Sequence, residues 1–368
     1  MTAWTSLEDV VYAAARSVVG ERALATSPLL EAIRDRSARY TSDRDRLARP
    51  ASPTGDLAAR AVFFTLADAP KVAIPLRELV SRSALPSHRP LRVVDLGAGC
   101  GAMSLGALAT LTEPMEITAI DRDREALQIA AAAVKAFAPS ATFSTTKADA
   151  TSASIPPADL VLMGTLLNEL DAPARLALVR RALASLSPDG ALIILEPALR
   201  ETTRALHELR DAIIGDAFVF APCTRQCAPC PALADPTDWC HEHRRVELPH
   251  RTAELARLTH LRDDGLKFSY LVLRTTAATL SDDASAWRVT GSPWAQKGKV
   301  EVLACSNSGR TKLRLLKRNR VASNRALENV ERGDIVTVDA QPDDDRIEVM
   351  PETKLTIKRP GDPPTVAK

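Results

Sequence analysis

The sequence of 368 residues is poor in aromatic side chains and carries almost no net charge. Phe, Trp and Tyr make up 4% of the chain, and the formal net charge is +2. No uninterrupted apolar run reaches the roughly 18 residues of a membrane-spanning helix, which argues against an integral membrane protein. The 45% hydrophobic and 26% charged residues are typical of a globular protein. This length exceeds one ordinary core and favours two or three units of roughly 100 to 200 residues each.

The first twenty residues lack the basic segment followed by an apolar segment that marks a secretory signal or a transit peptide. The abundance of Arg, Ala and Pro suits a GC-rich bacterial gene. We therefore expect a monomer in a bacterial cytoplasm, with no membrane partner. The chain has only 6 cysteines. In a reducing compartment, clustered cysteines are more often metal ligands than disulfides.

The pattern of apolar residues changes along the chain. Spacings of three and four predict an N-terminal helical region over residues 1–88. Short apolar runs then alternate with helical stretches over residues 89–280, which predicts an α/β unit with a mainly parallel sheet covered on both faces. This unit includes a cysteine-rich insertion at residues 221–245. Four alternating runs predict a small C-terminal β-barrel or sheet over residues 290–358, and we expect the polar tail, residues 359–368, to be disordered.

A glycine-rich loop, VVDLGAGCG, follows the first predicted strand and precedes a helix. Glycines there let the backbone pass close to a ligand, and the helix N-terminus offers free N–H groups. Two acids follow the next two strands, at positions suited to ribose hydroxyls and to an adenine amino group. The candidate cofactor-binding residues are Asp95, Gly97, Gly99, Gly101, Asp121 and Asp149.

DLGAGCG and the two acids resemble the first three motifs of class I S-adenosylmethionine methyltransferases, over roughly residues 90–275. The resemblance implies a Rossmann-like sheet of seven strands, with FSYLVLR as an antiparallel seventh strand, and S-adenosyl-L-methionine as cofactor. An NAD-binding fold is one alternative, although Ser104 replaces the third spaced glycine of the dinucleotide fingerprint. A glycine turn without a ligand is the other alternative.

The stretch LMGTLLNEL follows the fourth strand, where this fold faces the methyl acceptor. It lacks the Asn-Pro-Pro-aromatic motif by which many amino-methylating enzymes hold a base nitrogen. Asn168 and Glu169 are the candidate catalytic residues, through hydrogen bonds to an acceptor. The alternative is that they cap the following helix.

Four cysteines, Cys223, Cys227, Cys230 and Cys240, follow the sixth predicted strand. Parallel strands end on the ligand-binding edge, so we expect the insertion on the substrate side. Clustered thiolates favour zinc or an iron–sulfur cluster. A four-cysteine zinc site is one interpretation, although only Cys227 and Cys230 form a Cys-x2-Cys pair. Another is the Cys-x3-Cys-x2-Cys triplet of radical S-adenosylmethionine enzymes, formed by Cys223, Cys227 and Cys230.

Residues 297–320 carry eight basic side chains and one acid, Glu301, despite the nearly neutral total. Such a run predicts contacts with nucleic-acid phosphates. The alternative is a charged, solvated edge strand. The candidate RNA-binding residues are Arg310, Lys312, Arg314, Lys317, Arg318 and Arg320.

The motifs APC, CPAL, DWCHEHR, KFSYLVLR and KVEVLACSNSG, followed by the basic run, resemble the small-ribosomal-subunit methyltransferase-like family of mitochondria and bacteria. The resemblance implies a protein that binds small-subunit rRNA or a subunit precursor, and either methylates the rRNA or assists assembly. It also implies a [4Fe-4S] cluster held by Cys223, Cys230, Cys240 and Cys305. Thr224, where the family commonly has Pro, and the extra Cys227 depart from the pattern. Cys227 is therefore an alternate ligand, and a non-catalytic assembly factor with a zinc site is the alternative function.

Overall fold

The computed structural model describes residues 3–46, 50–226, 228–262, 265–343 and 345–361. Within these ranges, no helix is both long enough and apolar enough to cross a membrane. The predicted tail lies outside the described residues from residue 362 onward. The predicted boundaries between units stay predictions.

The N-terminal part of the chain is helical. Its elements are α1 (Ala3–Ala23), α2 (Thr26–Thr41), α3 (Pro53–Ala59), a π-helical segment (Arg60–Thr65) and α4 (Leu66–Ser81). Gly20, with φ of 77°, interrupts α1. Ser52 caps α3 by accepting a hydrogen bond from the Gly55 N–H at 3.1 Å, and Pro53 fits the first helical turn, where no N–H is needed. Leu7, Ile33 and Phe63 from these helices are buried in one shared core.

The central part of the chain forms a sheet with helices on both faces. Its strands are β1 (Leu91–Leu96), β2 (Met115–Asp121), β3 (Thr142–Lys147), β4 (Ala158–Gly164), β5 (Leu186–Pro197), β6 (Phe218–Ala221), β7 (Glu242–Arg244) and β8 (Leu266–Arg274). Its helices are α5 (Ala102–Thr110), α6 (Arg124–Phe137), α7 (Ala172–Ala184), α8 (Arg200–Ala212) and α9 (His250–Thr259). Successive residues of β1 face opposite sides, with Val93 in the core that includes α4 and α5 and Val94 in the core that includes α7 and α8.

The strand order β3-β2-β1-β4-β5-β8-β6, with β7 added to β8, is that of a class I methyltransferase fold. Strands β1 to β5 are parallel, and β8 is antiparallel to both β5 and β6. Strand β6 therefore runs in the same direction as β1 to β5, and its carboxyl end lies on the same edge as the glycine loop. The predicted fold class is confirmed, and the predicted antiparallel seventh strand, FSYLVLR, lies within β8. The short strand β7, in the cysteine-rich insertion, is an eighth strand that the sequence did not predict.

A second sheet follows. Its strands are β9 (Ala286–Val289), β10 (Trp294–Gln296), β11 (Lys299–Ser306), β12 (Gly309–Leu316), β13 (Ile335–Val338), β14 (Arg346–Val349) and β15 (Leu355–Lys358). Their order is β14-β12-β11-β9-β13-β15, with β10 paired to β11. The sequence predicted four runs from residue 290, whereas β9 begins at Ala286 and the last predicted run divides into β14 and β15. Trp287, Val302 and Leu313 belong to the core of this sheet.

A buried network of charged and polar side chains joins the two sheets to the N-terminal helices. Arg288 of β9 donates hydrogen bonds to Glu242 of β7 at 2.7 Å, to the Tyr270 hydroxyl of β8 at 3.0 Å and to Glu78 of α4 at 3.3 Å. The Tyr270 hydroxyl in turn donates to Glu78 at 2.7 Å. Because a buried charge without partners is costly, this network favours one relative placement of the three segments.

Candidate functional site

The glycine loop bends sharply at the end of β1. Gly97, Gly99 and Gly101 have φ angles of 70°, 52° and 87°, a region that side chains disfavour. A Cβ atom added to Gly97 would lie 2.9 Å from a methyl carbon of Leu166, so a larger residue would also clash there. The Gly99 N–H donates to Asp121 Oδ2 at 2.8 Å, which connects the loop to the end of β2. The loop and the acid predicted to bind a cofactor are thus in direct contact.

Asp95 has an unsatisfied carboxylate oxygen beside this loop. Its Oδ2 accepts hydrogen bonds from the Ser104 N–H at 3.0 Å and the Ser104 hydroxyl at 2.6 Å. Its Oδ1 is buried and has no partner among the described residues. Burial raises the pKa of Asp95 to about 6, although the Ser104 bonds favour the charged form. A buried acceptor without a donor is rare, and it fits a ligand that brings a donor.

Arg60, a residue that sequence reasoning missed, lies over the glycine loop. It begins the π-helical segment, and such segments are frequent at functional sites. Its guanidinium pairs with Asp123 at 2.5 Å and lies 3.4 Å from the place of a Cβ on Gly99. Desolvation lowers the pKa of Arg60, but interactions with Cys100, Asp123 and Asp121 outweigh it, so the pKa of Arg60 is raised. The N-terminal helices thereby contribute a positive charge to the candidate cofactor site.

Asp149 follows β3 and is exposed. Its Oδ1 accepts hydrogen bonds from the N–H of Thr151 at 2.8 Å and from the Thr151 hydroxyl at 2.6 Å. These two bonds lower the pKa of Asp149, so the side chain is an ionised carboxylate held in one orientation. Its second oxygen has no partner among the described residues, which leaves an acceptor for an amino group.

The two candidate catalytic residues are held by neighbours from distant segments. Asn168 is buried and its amide donates to Glu196 Oε2 at 2.8 Å, while its Oδ1 has no partner in the described part of the chain. Glu169 accepts hydrogen bonds from the Tyr40 hydroxyl at 2.9 Å and from Arg122 at 3.1 Å. The interpretation that Asn168 and Glu169 cap the next helix is wrong, because the side chain of Asp171 caps α7.

Glu196, at the end of β5, is a second residue that sequence reasoning missed. It is 3% exposed and accepts hydrogen bonds from Asn168 and from the Leu167 N–H at 2.8 Å. Burial raises the pKa of Glu196 to about 7, against the effect of these bonds. The segment after β4 is therefore held by a carboxyl group that titrates near neutrality.

Four cysteines line one cavity between the insertion and the second sheet: Cys223, Cys230, Cys240 and Cys305. Burial raises the pKa of the Cys230 thiol to about 11 and that of the Cys305 thiol to about 12, and the charge of Cys223 adds to both shifts. Mutual repulsion of this kind means that the thiol groups are near one another. In the described residues, no group of three or more His, Cys, Asp or Glu side chains has the arrangement of a metal site. Cys227 lies outside the described residues.

Side chains on one face of α8 form hydrogen bonds with the backbone of the cysteine-rich insertion. Arg210 is 1% exposed and donates to the carbonyl groups of Arg225, Gln226 and Ala228. Asp211 accepts from the Cys230 N–H at 2.9 Å, and His207 Nε2 lies 3.1 Å from the Cys240 carbonyl. These helix residues are spaced by three and four, so they share one face. The spacing was visible in the sequence, but their partners were not.

Strand pairing puts two arginines beside Cys305. In β11, Cys305 stands opposite Arg310 of β12 and Arg288 of β9. Both arginines, together with Arg210, line the cysteine cavity. Thr224 also donates to the Cys305 carbonyl at 3.3 Å, so the insertion contacts this strand directly. The cavity thus combines four thiols with three arginines, each of which is paired with an acid: Arg210 with Asp211, Arg288 with Glu242 and Arg310 with Asp238.

Most of the candidate RNA-binding residues are paired with acids, and all of these acids except Glu301 lie outside the basic run. Arg310 pairs with Asp238, Lys312 with Asp345 at 2.6 Å, Arg314 with Glu301 at 2.7 Å and Glu348 at 3.2 Å, and Arg320 with Glu328 at 2.6 Å. Lys317 and Arg318 are exposed and form no ion pair with any described residue. The positive potential of the run is therefore concentrated at the end of β12.

The chain is 30% identical over 119 residues to the carboxy-S-adenosyl-L-methionine synthase of Aeromonas salmonicida. The matched segment is 32% of this chain. It thus spans about half of that relative, 47% of its length. Among solved structures it is similar to the magnesium protoporphyrin IX methyltransferase of Synechocystis with bound SAM, at 14% identity and a TM-score of 0.36, covering 66% of this chain and 95% of that one. It is also similar to the precorrin-6y C5,15-methyltransferase of Geobacter metallireducens, at 17% identity and a TM-score of 0.33. That similarity covers 53% of this chain and 85% of that one. TM-scores of this size carry no weight, and the fold is assigned from the strand order.

A family model described as "Mitochondrial small ribosomal subunit Rsm22" matches residues 64–336. The match begins in the π-helical segment, includes the whole of the first sheet and the cysteine-rich insertion, and ends in β13. It therefore covers most of the 368 residues. The chain is a methyltransferase-like protein that belongs to the Rsm22 family.

Proposed function

We propose that this protein binds S-adenosylmethionine, carries a [4Fe-4S] cluster and acts on rRNA of the small ribosomal subunit, by methylation or by assisting assembly. The observation that carries the proposal is the meeting of Cys305 with Cys223, Cys230 and Cys240 around one cavity. A ligand set drawn from the cysteine-rich insertion and from the C-terminal β-unit is what the resemblance to the ribosomal family implies. The family description names mitochondria. A location in a bacterial cytoplasm is therefore a prediction from the sequence alone.

The cofactor proposal is supported by the chemistry of the glycine loop. Gly97, Gly99 and Gly101 would let the backbone approach S-adenosylmethionine, whose sulfonium centre supplies an electrophilic methyl group. Asp121 would accept hydrogen bonds from the ribose hydroxyls, and Asp149 from the adenine amino group. The unpartnered Oδ1 of Asp95 fits a donor of the same ligand.

The catalytic proposal concerns Asn168 and Glu169. The buried Oδ1 of Asn168 is an acceptor without a partner among the described residues, and it suits an N–H of a base. Glu196 would hold Asn168 in place through its hydrogen bond at 2.8 Å. If the protein only assists assembly, the same residues need contact no acceptor.

The cluster proposal is supported by the donor set of the cavity. Four thiolates are the usual ligands of a [4Fe-4S] cluster, and the site they form is anionic. Arg210, Arg288 and Arg310 line the same cavity, and each would interact with a bound cluster as well as with its acidic partner. Cys240 and Cys305 lie at this cavity as well, which favours four cysteine ligands over the radical triplet of Cys223, Cys227 and Cys230. When bound, the cluster would supply folding free energy by joining the two segments.

The function is tested in a strain that lacks the gene, by methylation mapping of its rRNA together with a profile of its ribosomal subunits. Loss of one methyl mark that returns with the wild-type gene, but not with the Asp121→Ala variant, supports the enzyme. A shortage of small subunits with all marks intact supports the assembly role. Unchanged marks and an unchanged profile would contradict both.

A further inference from the structure

Trp294 is a large aromatic side chain left in solvent. It is 63% exposed and lies on β10, a short strand that pairs only with β11 in the described structure. Single exposed apolar residues are common and need no explanation of their own. What sets Trp294 apart is the group of unpaired cations at the same end of the sheet, whereas its cross-strand neighbour, the acid Glu301, is already paired with Lys299 and Arg314.

Three unpaired cations lie at the same end of the sheet. Lys297 is in the turn between β10 and β11, and Lys317 and Arg318 follow β12. The Lys317 N–H donates to the Gly298 carbonyl at 2.9 Å, which brings the two turns together. All three side chains are exposed, and none forms an ion pair with a described residue. The neighbouring Arg314 and Lys312 are by contrast paired with acids.

The indole shares a sheet face with the cysteine cavity. Trp294 stands opposite Glu301 on β11, and Glu301 stands opposite Arg314 on β12. Because side chains alternate along a strand, Glu301 and Cys305 are on the same face of β11. At about 3.3 Å per residue, four residues separate them by about 13 Å. Trp294 therefore lies on the face of the sheet that carries Cys305, toward the opposite end of β11.

We propose that Trp294 is a stacking platform for an unpaired base of single-stranded RNA, whose phosphates contact Lys297, Lys317 and Arg318. An exposed aromatic ring stacks on any base, and adjacent cations bind the backbone, which is the usual chemistry of single-strand binding. Paired RNA keeps its bases stacked inside the helix and cannot present one to the indole. The inference rests on the proposed function, that the protein binds rRNA, and adds the class of RNA and the residue that contacts a base.

The test measures binding of the full-length protein to a labelled single-stranded RNA of about 12 nucleotides and to a blunt-ended RNA duplex of the same length, by fluorescence anisotropy. Stacking on one base predicts that Trp294→Ala weakens single-strand binding by about 5- to 150-fold, that duplex binding changes little, and that the salt slope stays the same. Trp294→Phe should restore most of the affinity. Phe218→Ala is the matched control, since Phe218 is an exposed aromatic residue on the first sheet, 43% exposed.

Unchanged single-strand affinity in Trp294→Ala, with binding that still depends on Lys317 and Arg318, would overturn the stacking platform and leave rRNA binding in place. That result would be expected if Trp294 contacts a ribosomal protein. An equal loss on single-stranded and duplex RNA would also overturn it. If the wild-type protein binds neither RNA, the proposed RNA-binding function fails, and the platform fails with it.

Discussion

The hydroxyl of Thr224 donates a hydrogen bond to the backbone carbonyl of Cys305, across 3.3 Å and 81 residues of sequence. Arg225 donates to the Asn307 carbonyl at 2.5 Å, and the Gln226 N–H donates to the Asn307 side chain at 3.1 Å. The insertion after β6 and the hairpin of β11 and β12 are therefore joined by protein contacts. The proposed cluster would join these same two segments a second time.

Cofactor binding should depend on Asp121. We expect Asp121→Ala to weaken S-adenosylmethionine binding at least tenfold, about 1.4 kcal/mol, because the ribose hydroxyls lose their acceptor. Asp121 also accepts two backbone hydrogen bonds, from Gly99 and Asp123, so thermal unfolding must be compared in parallel. Glu116→Ala, an exposed acid on the same strand, is the control and should bind normally. Calorimetry that gives equal affinities for wild type and Asp121→Ala would rule out this site.

The free energy of unfolding should fall as the pH rises through the range in which Glu196 ionises. Burial raises the pKa of Glu196 from 4.5 to about 7, so the folded protein holds a proton that the unfolded chain has released. This stabilisation is complete below about pH 4.5 and is lost as the pH passes about 7, with a limit of about 3 kcal/mol.

Glu196→Gln should remove that part of the pH dependence, since glutamine does not titrate. The amide group of the new glutamine can still donate a hydrogen bond to Asn168. A 180° flip of the Asn168 side-chain amide makes its Oδ1 the acceptor. Urea unfolding of both proteins at pH 5 and pH 8 measures the difference. Parallel pH profiles for wild type and variant would mean that Glu196 is already charged at pH 5. Asp95, with its pKa raised to about 6, contributes equally to both proteins and cancels in the comparison.

Arg210 should be the main polar support of the segment from Arg225 to Ala228 of the cysteine-rich insertion. Arg210→Ala leaves several part-buried carbonyl groups without their donor and Asp211 without its cation, which we expect to cost about 3 kcal/mol. Arg180→Ala, which breaks an exposed ion pair with Asp216, should cost no more than about 1 kcal/mol. Chemical unfolding of both variants measures these costs. Equal small losses would show that the insertion does not depend on Arg210.

The paired and unpaired cations of the basic run should contribute unequally to RNA binding. A cation already neutralised by an acid releases fewer counterions on binding phosphate, so Lys317→Ala with Arg318→Ala should reduce the salt slope by about 1.4 on single-stranded RNA. Lys312→Ala with Arg314→Ala should change the salt slope less, because both of these basic side chains have acidic partners. Titrations at several salt concentrations give both slopes. A larger change for the paired set would mean that RNA displaces the acids.

The sequence predicted the first sheet well because most of its strands are apolar runs between turns, and because the glycine loop and Asp121 are close in a known motif. It missed β9 and β10 of the second sheet, which have only 4 and 3 residues and too little alternation to be recognised. Residues 346–358 were predicted as one run, but the structure divides them at the turn that follows β14.

The roles of side chains whose partners lie far along the chain could not be predicted from the sequence. Arg60 and Glu196 gain their roles from contacts with segments 63 and 28 residues away. The acids that neutralise Lys312 and Arg314 include Asp345 and Glu348, which fall outside the basic run where charges were counted. Local composition overestimates a charged surface when the opposite charges come from another strand.

The most direct test of the proposed site is the iron and acid-labile sulfide content of full-length protein purified without oxygen, compared with Cys305→Ser and with Cys100→Ser as the thiol control. Cys100 is buried in the glycine loop, away from the cysteine cavity. We expect brown wild-type and Cys100→Ser proteins with about four irons each, and loss of the cluster in Cys305→Ser. Cys240→Ser should lose it too, whereas Cys227→Ser should keep it. A cluster that survives Cys305→Ser but not Cys227→Ser, or a colourless wild-type protein with one zinc, would contradict the account.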